Sequence, residues 1–397
     1  MHLPPQRTAP GADEPLPYLD SREAVAAFMR SIAGTRILAL DTEGASFHRF
    51  VDRIYLLQLT TPTRSAIIDP LGIDALPGLG EMLEDAAVEV IFHDADYDLR
   101  LLHQDYGWHV RNIFDTRIAA QLLGIRAFGL AALLERYFGL KLEKKHQRAD
   151  WSMRPLTEDM LTYAAQDTEH LIELRSRMRA ELEALGRWSW AAEEFERLEG
   201  TQWDPGEDDG AFLRMKGARD LSRRELGVLR EIVGWRDSVA RELDRATFRV
   251  MSNEVLLEVA RAGEATRETL GAIRGMPRSL LERRGGELID AVRRGLSIPE
   301  ESLPRFPRAA RFERDSDFDE NVSRLRLVRE KAATRLDLDP GVLCSRERLE
   351  AIARLQPTSI TQLAEIKELR RWQIAELGPE IVAVFTGTAP ADSPYKG

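Results

Sequence analysis

Four short apolar runs near the start of the chain have the pattern of β-strands. They are "RILALDTE", "RIYLLQLTT", "RSAIIDP" and "VEVIFHD", and each ends in polar or turn-forming residues. The first three follow one another after short connections, which predicts an antiparallel meander because parallel neighbours need long crossovers. The fourth carries Val88, Val90 and Ile91, which indicates a buried strand.

After the fourth run, apolar residues recur at spacings of three and four, which is typical of amphipathic helices. The segments are "DYDLRLLHQDYG", "DTRIAAQLLG", "GLAALLERYFG" and "TEDMLTYAAQDTEHLIELRSRMRAEL". The first three end in glycine, as helix C-termini often do. Strands and helices together predict an α/β domain over residues 16–190, with a mixed sheet flanked by helices.

The second half of the chain has almost no strand pattern and contains an internal repeat. The stretch "WRDSVARELDRATFRVMSNEVLLEVAR" from Trp235 aligns without gaps with "VREKAATRLDLDPGVLCSRERLEAIAR" from Val328, 93 residues later. Ser252 and Ser345 occupy equivalent positions, each where a helix N-cap belongs. We predict two all-α modules, of which the second is the degenerate copy. The predicted segments are an acidic linker at 191–211, the modules at 212–297 and 318–388, and a proline-bearing linker between them at 298–317.

The composition of the chain excludes several classes of protein. The chain has 397 residues, a net charge of -10, 43% hydrophobic residues and one cysteine, Cys344. A single cysteine excludes a disulfide framework and a multi-cysteine zinc site, and it fits the cytoplasm. No stretch reaches the ~20 apolar residues of a membrane span, so no membrane partner is expected. Residues 1–15 are predicted to be a disordered leader, and 389–397 a tail.

The first strand ends in Asp41 and Glu43, two carboxylates that raise a chemical question. Residues two apart in a strand point to the same face, so these side chains lie next to each other and repel. A divalent cation such as Mg²⁺ or Mn²⁺ removes that repulsion, since it prefers oxygen ligands. Taken alone, however, the pair fits a solvated strand end better than a metal site.

Two other segments offer partners for this pair. In "FHDADYDLRLL", Asp98 stands where the helical pattern begins, and Asp94 and Asp96 before it suit the helix N-terminus. In "YAAQD", Tyr163 and Asp167 are four residues apart and share a helix face. Each feature alone is common in proteins without a metal site.

At these residues the chain resembles a known family. "LALDTE", "FHDADYD" and "YAAQD" look like the three motifs of the tyrosine-bearing branch of the DEDD exonucleases, and the flanks "HQRADWSMRPL" and "FDTRIAAQLLG" are similar to those of ribonuclease D. The helical modules resemble the HRDC module, named for helicases and ribonuclease D. The resemblance implies a ribonuclease H-like exonuclease domain followed by two HRDC-like domains.

The resemblance also implies roles for the candidate residues. Asp41 would bridge two divalent ions, Mg²⁺ or Mn²⁺, while Glu43 and Asp167 would complete the site that activates water. Asp98 would serve the second ion through water, and Tyr163 would hold the attacking water.

The implied activity is hydrolysis of RNA from the 3′ end to 5′-mononucleotides, with tRNA precursors as substrates and a monomeric enzyme. A DNA exonuclease of the same superfamily and a non-catalytic RNA-binding adaptor remain alternatives.

Two further segments bear on how substrate is held. The loop before the third motif is either a phosphate clamp with an aromatic for stacking or a solvated loop around a core tryptophan. The segment after Glu43, with Gly44 and His48, differs from the sequence that is usual in ribonuclease D. The substrate preference therefore stays open. The candidate nucleic-acid contacts of the loop are Lys144, Lys145, Gln147, Arg148, Trp151 and Arg154.

Overall fold

The computed structural model describes residues 16–142, 146–204, 210–263, 265–307 and 316–387. A six-stranded mixed sheet lies in the first domain, with the strand order β1-β4-β3-β2-β5-β6. The predicted meander is confirmed, since β2, β3 and β4 pair antiparallel, while β5 and β6 extend the sheet parallel to β2. The strands are β1 (Tyr18–Leu19), β2 (Ile37–Glu43), β3 (Leu56–Thr60), β4 (Ser65–Ile68), β5 (Glu89–Phe92) and β6 (Ile113–Asp115).

Helices cover both faces of this sheet, and side chains fix where several of them start. Thr157 accepts from the backbone N–H of Met160 at the start of α6, and the side chain of Asp115 caps α4. The helices of this domain are α1 (Arg22–Ser31), α2 (Leu79–Leu83), α3 (Asp96–Tyr106), α4 (Thr116–Leu122), α5 (Leu130–Phe138), α6 (Glu158–Glu169), α7 (Leu171–Ala184) and α8 (Trp188–Leu198).

The predicted acidic linker begins inside an ordered helix. Ala191 and Phe195 of α8 are buried in the core that the first domain shares with the second helical module. These two apolar residues are four positions apart, with glutamates between them, which is a helical pattern. The acidic composition of the segment obscures this pattern in the sequence. The packed part of the chain therefore extends into the predicted linker.

The two helical modules follow the repeat found in the sequence. Ser252 and Ser345 both cap a helix through their side chains, as predicted. The first module comprises α9 (Ala211–Arg214), α10 (Arg223–Glu242), α11 (Thr247–Val250), α12 (Asn253–Arg261), α13 (Arg267–Gly271) and α14 (Arg278–Leu296). The second comprises α15 (Ser316–Leu336), α16 (Pro340–Leu343), α17 (Arg346–Leu355), α18 (Ile360–Leu363) and α19 (Arg371–Thr386).

The second module packs against the first domain. Trp190 and Trp372 stack with their ring centroids 4.8 Å apart, and Glu194 accepts hydrogen bonds from Trp372 and Arg370. Apolar side chains from both domains form one continuous core. The degenerate copy thus has a structural role in covering the helices on this side of the sheet.

The first module contacts the loop that follows β2. The backbone N–H of Ala246 donates to the carbonyl of His48 at 3.2 Å, and Arg49 pairs with Asp244 at 3.1 Å. This contact brings the first module to the strand end that carries the candidate carboxylates. In the part of the chain that the structure describes, no helix combines the length and the apolar character that crossing a membrane requires.

Candidate metal centre

Three of the predicted carboxylates converge at the end of β2. Asp41 and Glu43 project from the same face of this strand, and α6 places Asp167 against them. One oxygen atom from each side chain lies within 4.8 Å of the others. All three residues are partly buried, so the site is shielded and still within reach of a hydrated cation.

The fourth carboxylate, Asp98, is held beside the strand and outside this group of three. It lies in the first turn of α3, is almost fully buried, and accepts a hydrogen bond from the backbone N–H of Thr42 at 3.0 Å. The hydroxyl of Thr42 donates to the same oxygen. Because Thr42 lies between Asp41 and Glu43, these bonds fix the distance between Asp98 and the pair.

The carboxylates hold their protons unusually tightly. Burial raises the pKa of Asp41 well above its usual range, and the neighbouring charges of Asp98, Asp167 and Glu43 raise it further. Burial and then Asp167 and Asp98 raise the pKa of Glu43 in the same way. The pKa of Asp98 is raised to about 7 by burial, against the opposing hydrogen bonds from Thr42, and burial raises that of Asp167 to about 7. This concentration of negative charge favours a bound cation.

Tyr163 lies next to the cluster, one helical turn before Asp167. Partial burial raises the pKa of its hydroxyl, and the charges of Asp167, Glu43 and Asp41 raise it further. The ring contacts the ring of His146, with centroids 5.7 Å apart, and that of Trp151, with centroids 6.2 Å apart. The phenol therefore stays protonated at neutral pH and points its polar end toward a site rich in carboxylates.

A buried amide, which the sequence did not single out, supports a site that binds a ligand. Gln58 lies opposite Asp41 in the pairing of β2 with β3, so both side chains occupy the same face. Its side chain is 1% exposed, and neither amide atom has a hydrogen-bond partner among the described residues. Since buried polar groups are nearly always paired, this amide is suited to a bound group at the cluster. An all-oxygen donor set beside it fits Mg²⁺ or Mn²⁺.

The other acidic residues of the second motif have separate partners. Asp94 pairs with Arg117, and Asp96 pairs with Arg100 one helical turn away on the surface. Asp96 lies in the first turn of α3, which agrees with its interpretation as a residue of the helix N-terminus, whereas Asp94 precedes the helix.

The predicted nucleic-acid contacts separate into four groups. Gln147 and Arg148 line a cavity of about 190 Å³ together with Glu43, so their position suits a role at the site. Trp151 also lines this cavity, but it is only 2% exposed and packs in the core, which leaves little of its ring for stacking with a base. Lys144 and Lys145 lie outside the described residues.

Arg154 does not have a free guanidinium for phosphate. It pairs with the buried Asp69 through two nitrogens and donates to the carbonyl groups of Tyr55, Trp151 and Met153. The expectation of a phosphate contact is therefore corrected: Arg154 ties the loop before α6 to β4. The core position of Trp151 agrees with the alternative of a loop around a core tryptophan, while the phosphate clamp stays a prediction.

Gly44 leaves space that another side chain fills. A Cβ atom on Gly44 would lie 2.0 Å from the hydroxyl of Tyr97 and 2.8 Å from an oxygen of Asp52. Tyr97 donates to Asp52, which also accepts from the backbone N–H of Ala45 at 3.0 Å. Tyr97 lines the same cavity as Glu43. Gly44 thus accommodates the Tyr97 side chain, a contact that the sequence did not reveal because the two residues are 53 positions apart.

We expect Gly44→Ala to displace the Tyr97 ring and to lower the RNA cleavage that the family resemblance implies. The new methyl group overlaps the hydroxyl, so Tyr97 must turn away and give up its hydrogen bond to Asp52. Loss of that bond should cost about 1 kcal/mol of stability. Because the ring forms a wall of the cavity beside Glu43, cleavage should slow by about tenfold, in keeping with the cost of a misplaced group at an active site. Thermal melting and a cleavage time course measure the two effects.

Gly129→Ala is the matched control for this substitution. Gly129 has φ −71°, and nothing lies within 4 Å of a Cβ atom built on it. This variant should cleave like the unmodified protein, although alanine is a poorer N-cap for α5 than glycine. If Gly44→Ala behaves in the same way, Tyr97 does not shape the site.

Comparison with known proteins agrees with this geometry. A family model for 3′-5′ exonucleases matches residues 18–183, and a model for the HRDC domain matches residues 225–292 and 319–385. Ribonuclease D of Gluconacetobacter diazotrophicus is 30% identical over 354 residues, which cover 88% of each chain.

Two solved structures share the fold over nearly the whole chain. A protein from Bifidobacterium adolescentis superposes with a TM-score of 0.80 at 26% identity, covering 94% of this chain and 98% of its own. Escherichia coli RNase D superposes with a TM-score of 0.72 at 24% identity, covering 93% of this chain and 98% of its own. The chain belongs to the ribonuclease D family of hydrolytic 3′–5′ exoribonucleases.

Proposed function

We propose that this protein shortens RNA from the 3′ end by hydrolysis and releases 5′-mononucleotides at a site for two divalent cations. The observation that carries the proposal is the convergence of Asp41, Glu43 and Asp167, with Asp98 and Tyr163 beside them. All five side chains come from one chain, so the proposal needs no second copy and is consistent with a monomer.

The donor set suggests how the cations are held. Asp41, Glu43 and Asp167 are the direct ligands in this proposal, and Asp98 acts from its place beside Thr42. Bound there, divalent cations lower the pKa of the attacking water and stabilise the charge on the leaving 3′-oxygen. Without them, ionised carboxylates in such a cluster would repel a phosphodiester. This dependence explains how a chain with a net charge of -10 can act on RNA.

The residues of the chain then have distinct tasks. The hydroxyl of Tyr163, kept protonated by its raised pKa, holds and orients the attacking water. The hydrogen bonds from Thr42 keep Asp98 aligned with the end of β2. Gln147 and Arg148, in the cavity next to Glu43, contact the terminal nucleotide.

The substrate class is proposed from the relatives and from the resemblance. The relative that is 30% identical is named ribonuclease D, which indicates RNA. Tails of tRNA precursors are the proposed natural substrates, and the cytoplasm is the proposed compartment. The single cysteine, Cys344, is buried and unpaired, which suits reducing surroundings.

Labelled oligonucleotides test this function directly. RNA and DNA of the same sequence, labelled at the 5′ end, are incubated with Mg²⁺, with Mn²⁺ or with a chelator. We expect stepwise shortening of the RNA from its 3′ end with either metal, no shortening with the chelator, and 5′-mononucleotides as products.

Each alternative function predicts a different pattern. Faster shortening of DNA than of RNA would identify a DNA exonuclease. Binding of RNA without shortening under any metal would identify a non-catalytic adaptor and overturn the proposal. A precursor tRNA with a 3′ trailer, compared with the mature tRNA, tests the proposed natural substrate, since only the precursor should be trimmed.

A further inference from the structure

Two exposed phenylalanines meet where the first helical module contacts the exonuclease domain. Phe47 belongs to the loop after β2 and is 45% exposed, while Phe248 belongs to α11 and is 50% exposed. Their rings meet edge to face, with centroids 6.0 Å apart and planes 77° apart. A pair that served only to join the domains would gain most by being buried, yet about half of each side chain faces solvent.

The backbone around this pair is fixed from both domains. Arg249 donates from its side chain to the carbonyl of Phe47, and the N–H of Ala246 donates to the carbonyl of His48. Asp244 accepts from Arg49 and from the backbone N–H of Phe50. The two rings are thus held in place before any ligand arrives, which lowers the entropic cost of binding to them.

Arginines from both domains lie near the two rings, and the nearby Asp244 is itself paired with Arg49. The guanidinium of Arg148 lies 5.2 Å from the centre of the Phe47 ring. On the side of the helical module, Arg245 and Arg249 are both exposed. Exposed aromatic faces within a group of arginines are what proteins use to bind single-stranded nucleic acid, because bases stack on the rings while cations contact the phosphates. Charge complementarity therefore indicates a polyanion with flat apolar groups.

This surface is continuous with the metal centre. Phe47 lines the cavity of about 190 Å³ that Thr42 and Glu43 also line. A strand whose terminal nucleotide lies at the carboxylates can therefore pass over Phe47 as it leaves the cavity. Phe248 then extends the aromatic surface onto the helical module.

We propose that Phe47 and Phe248 form a joint stacking platform for a base of the single-stranded 3′ segment, at least two nucleotides upstream of the one that is removed. The base stacks on the face of one ring, and the other ring, which is nearly perpendicular, borders it. The proposal rests on the proposed exonuclease function and adds a subsite to it. It gives the first helical module a task at the active site, since that module supplies one of the two rings.

Base stacking can be measured with 2-aminopurine, whose fluorescence is quenched when it stacks. RNA oligomers carrying the probe at successive positions from the 3′ end are bound to protein in which Asp41→Asn blocks cleavage. We expect strong quenching at an interior position when Phe47 and Phe248 are present. The quenching should be lost when both are replaced by alanine in the same background, and an unchanged quenching profile would overturn the proposal.

Cleavage kinetics provide the second measurement, in protein with Asp41 intact. Phe47→Ala combined with Phe248→Ala should raise the KM for single-stranded oligomers by about tenfold, the effect expected for one lost base stack. The kcat for the oligomers and the cleavage of a dinucleotide, which cannot reach the platform, should stay the same. An equal loss on the dinucleotide, or no loss on the oligomers, would contradict the proposal.

Two further variants separate stacking from domain contact. Phe248→Leu keeps an apolar contact without an aromatic face, and it should show part of the same KM increase. Leu327→Ala truncates a side chain of the second module that is 62% exposed, and it should behave like the unmodified protein. If the unmodified protein cleaves neither oligomer nor dinucleotide, the proposed function fails. If it cleaves both and the phenylalanine variants match it, only the platform fails.

Discussion

Asp41→Asn is expected to lower the rate of RNA cleavage by about 10³-fold or more while leaving the protein folded. The substitution keeps the shape of the side chain and removes a charge that three other carboxylates repel. In metal-free protein that charge is unfavourable, because burial and three neighbouring carboxylates already raise the pKa of Asp41. The melting temperature without metal should therefore stay the same or rise, and the increase produced by Mg²⁺ should largely disappear.

Asp96→Asn is the matched control for this substitution. Asp96 also lies in the acidic segment of the second motif, but it is exposed and pairs with Arg100 on the surface of α3. Such surface pairs contribute little to stability. We expect this variant to cleave and melt like the unmodified protein. Cleavage by Asp41→Asn at a comparable rate would mean that catalysis occurs elsewhere.

Local periodicity predicted which side chains lie together within one strand or one helix, but it did not predict the carboxylate cluster. The period of two in a strand places Asp41 and Glu43 together, and the period of a helix places Tyr163 one turn from Asp167. The resemblance to a family then joined these local patterns into one site, which the structure brings together with Asp98 beside it. The repeat likewise predicted the two helical modules, because equivalent N-caps at Ser252 and Ser345 mark equivalent helices.

Features that depend on distant contacts could not be predicted. Trp151 and Arg154 looked like nucleic-acid contacts because their segment is basic. The burial of Trp151 and the pairing of Arg154 with Asp69 depend on the tertiary structure. Tyr97 fills the space over Gly44 from another element of the chain. The docking of the first helical module on the loop after β2 could not be inferred either. In the sequence, both contacting segments contain polar residues and only isolated apolar ones.

The pH dependence of stability should reveal the carboxylate cluster without any measurement of activity. In folded, metal-free protein the pKa of Asp98 and that of Asp167 are about 7, whereas unfolded aspartate has a pKa of about 3.9. Between about pH 4 and 7 the folded state keeps protons that the unfolded state loses, so the free energy of unfolding falls as the pH rises. Magnesium binds the ionised carboxylates. The rise in melting temperature on adding it should therefore be larger at pH 8 than at pH 5, by about 5 °C.

Asp167→Asn isolates the contribution of the cluster from that of other titrating groups. His93 acts in the opposite direction, because burial lowers its pKa to about 4 and its neutral form favours folding as the pH rises above that value. This contribution is the same in both proteins and cancels in their difference. In metal-free protein, the melting temperature of the variant should therefore fall less steeply between pH 5 and 7 than that of the unmodified protein. Equal slopes would mean that the carboxylates are already ionised at pH 5. Repulsion within the cluster would then be too weak to make metal binding a requirement for substrate binding.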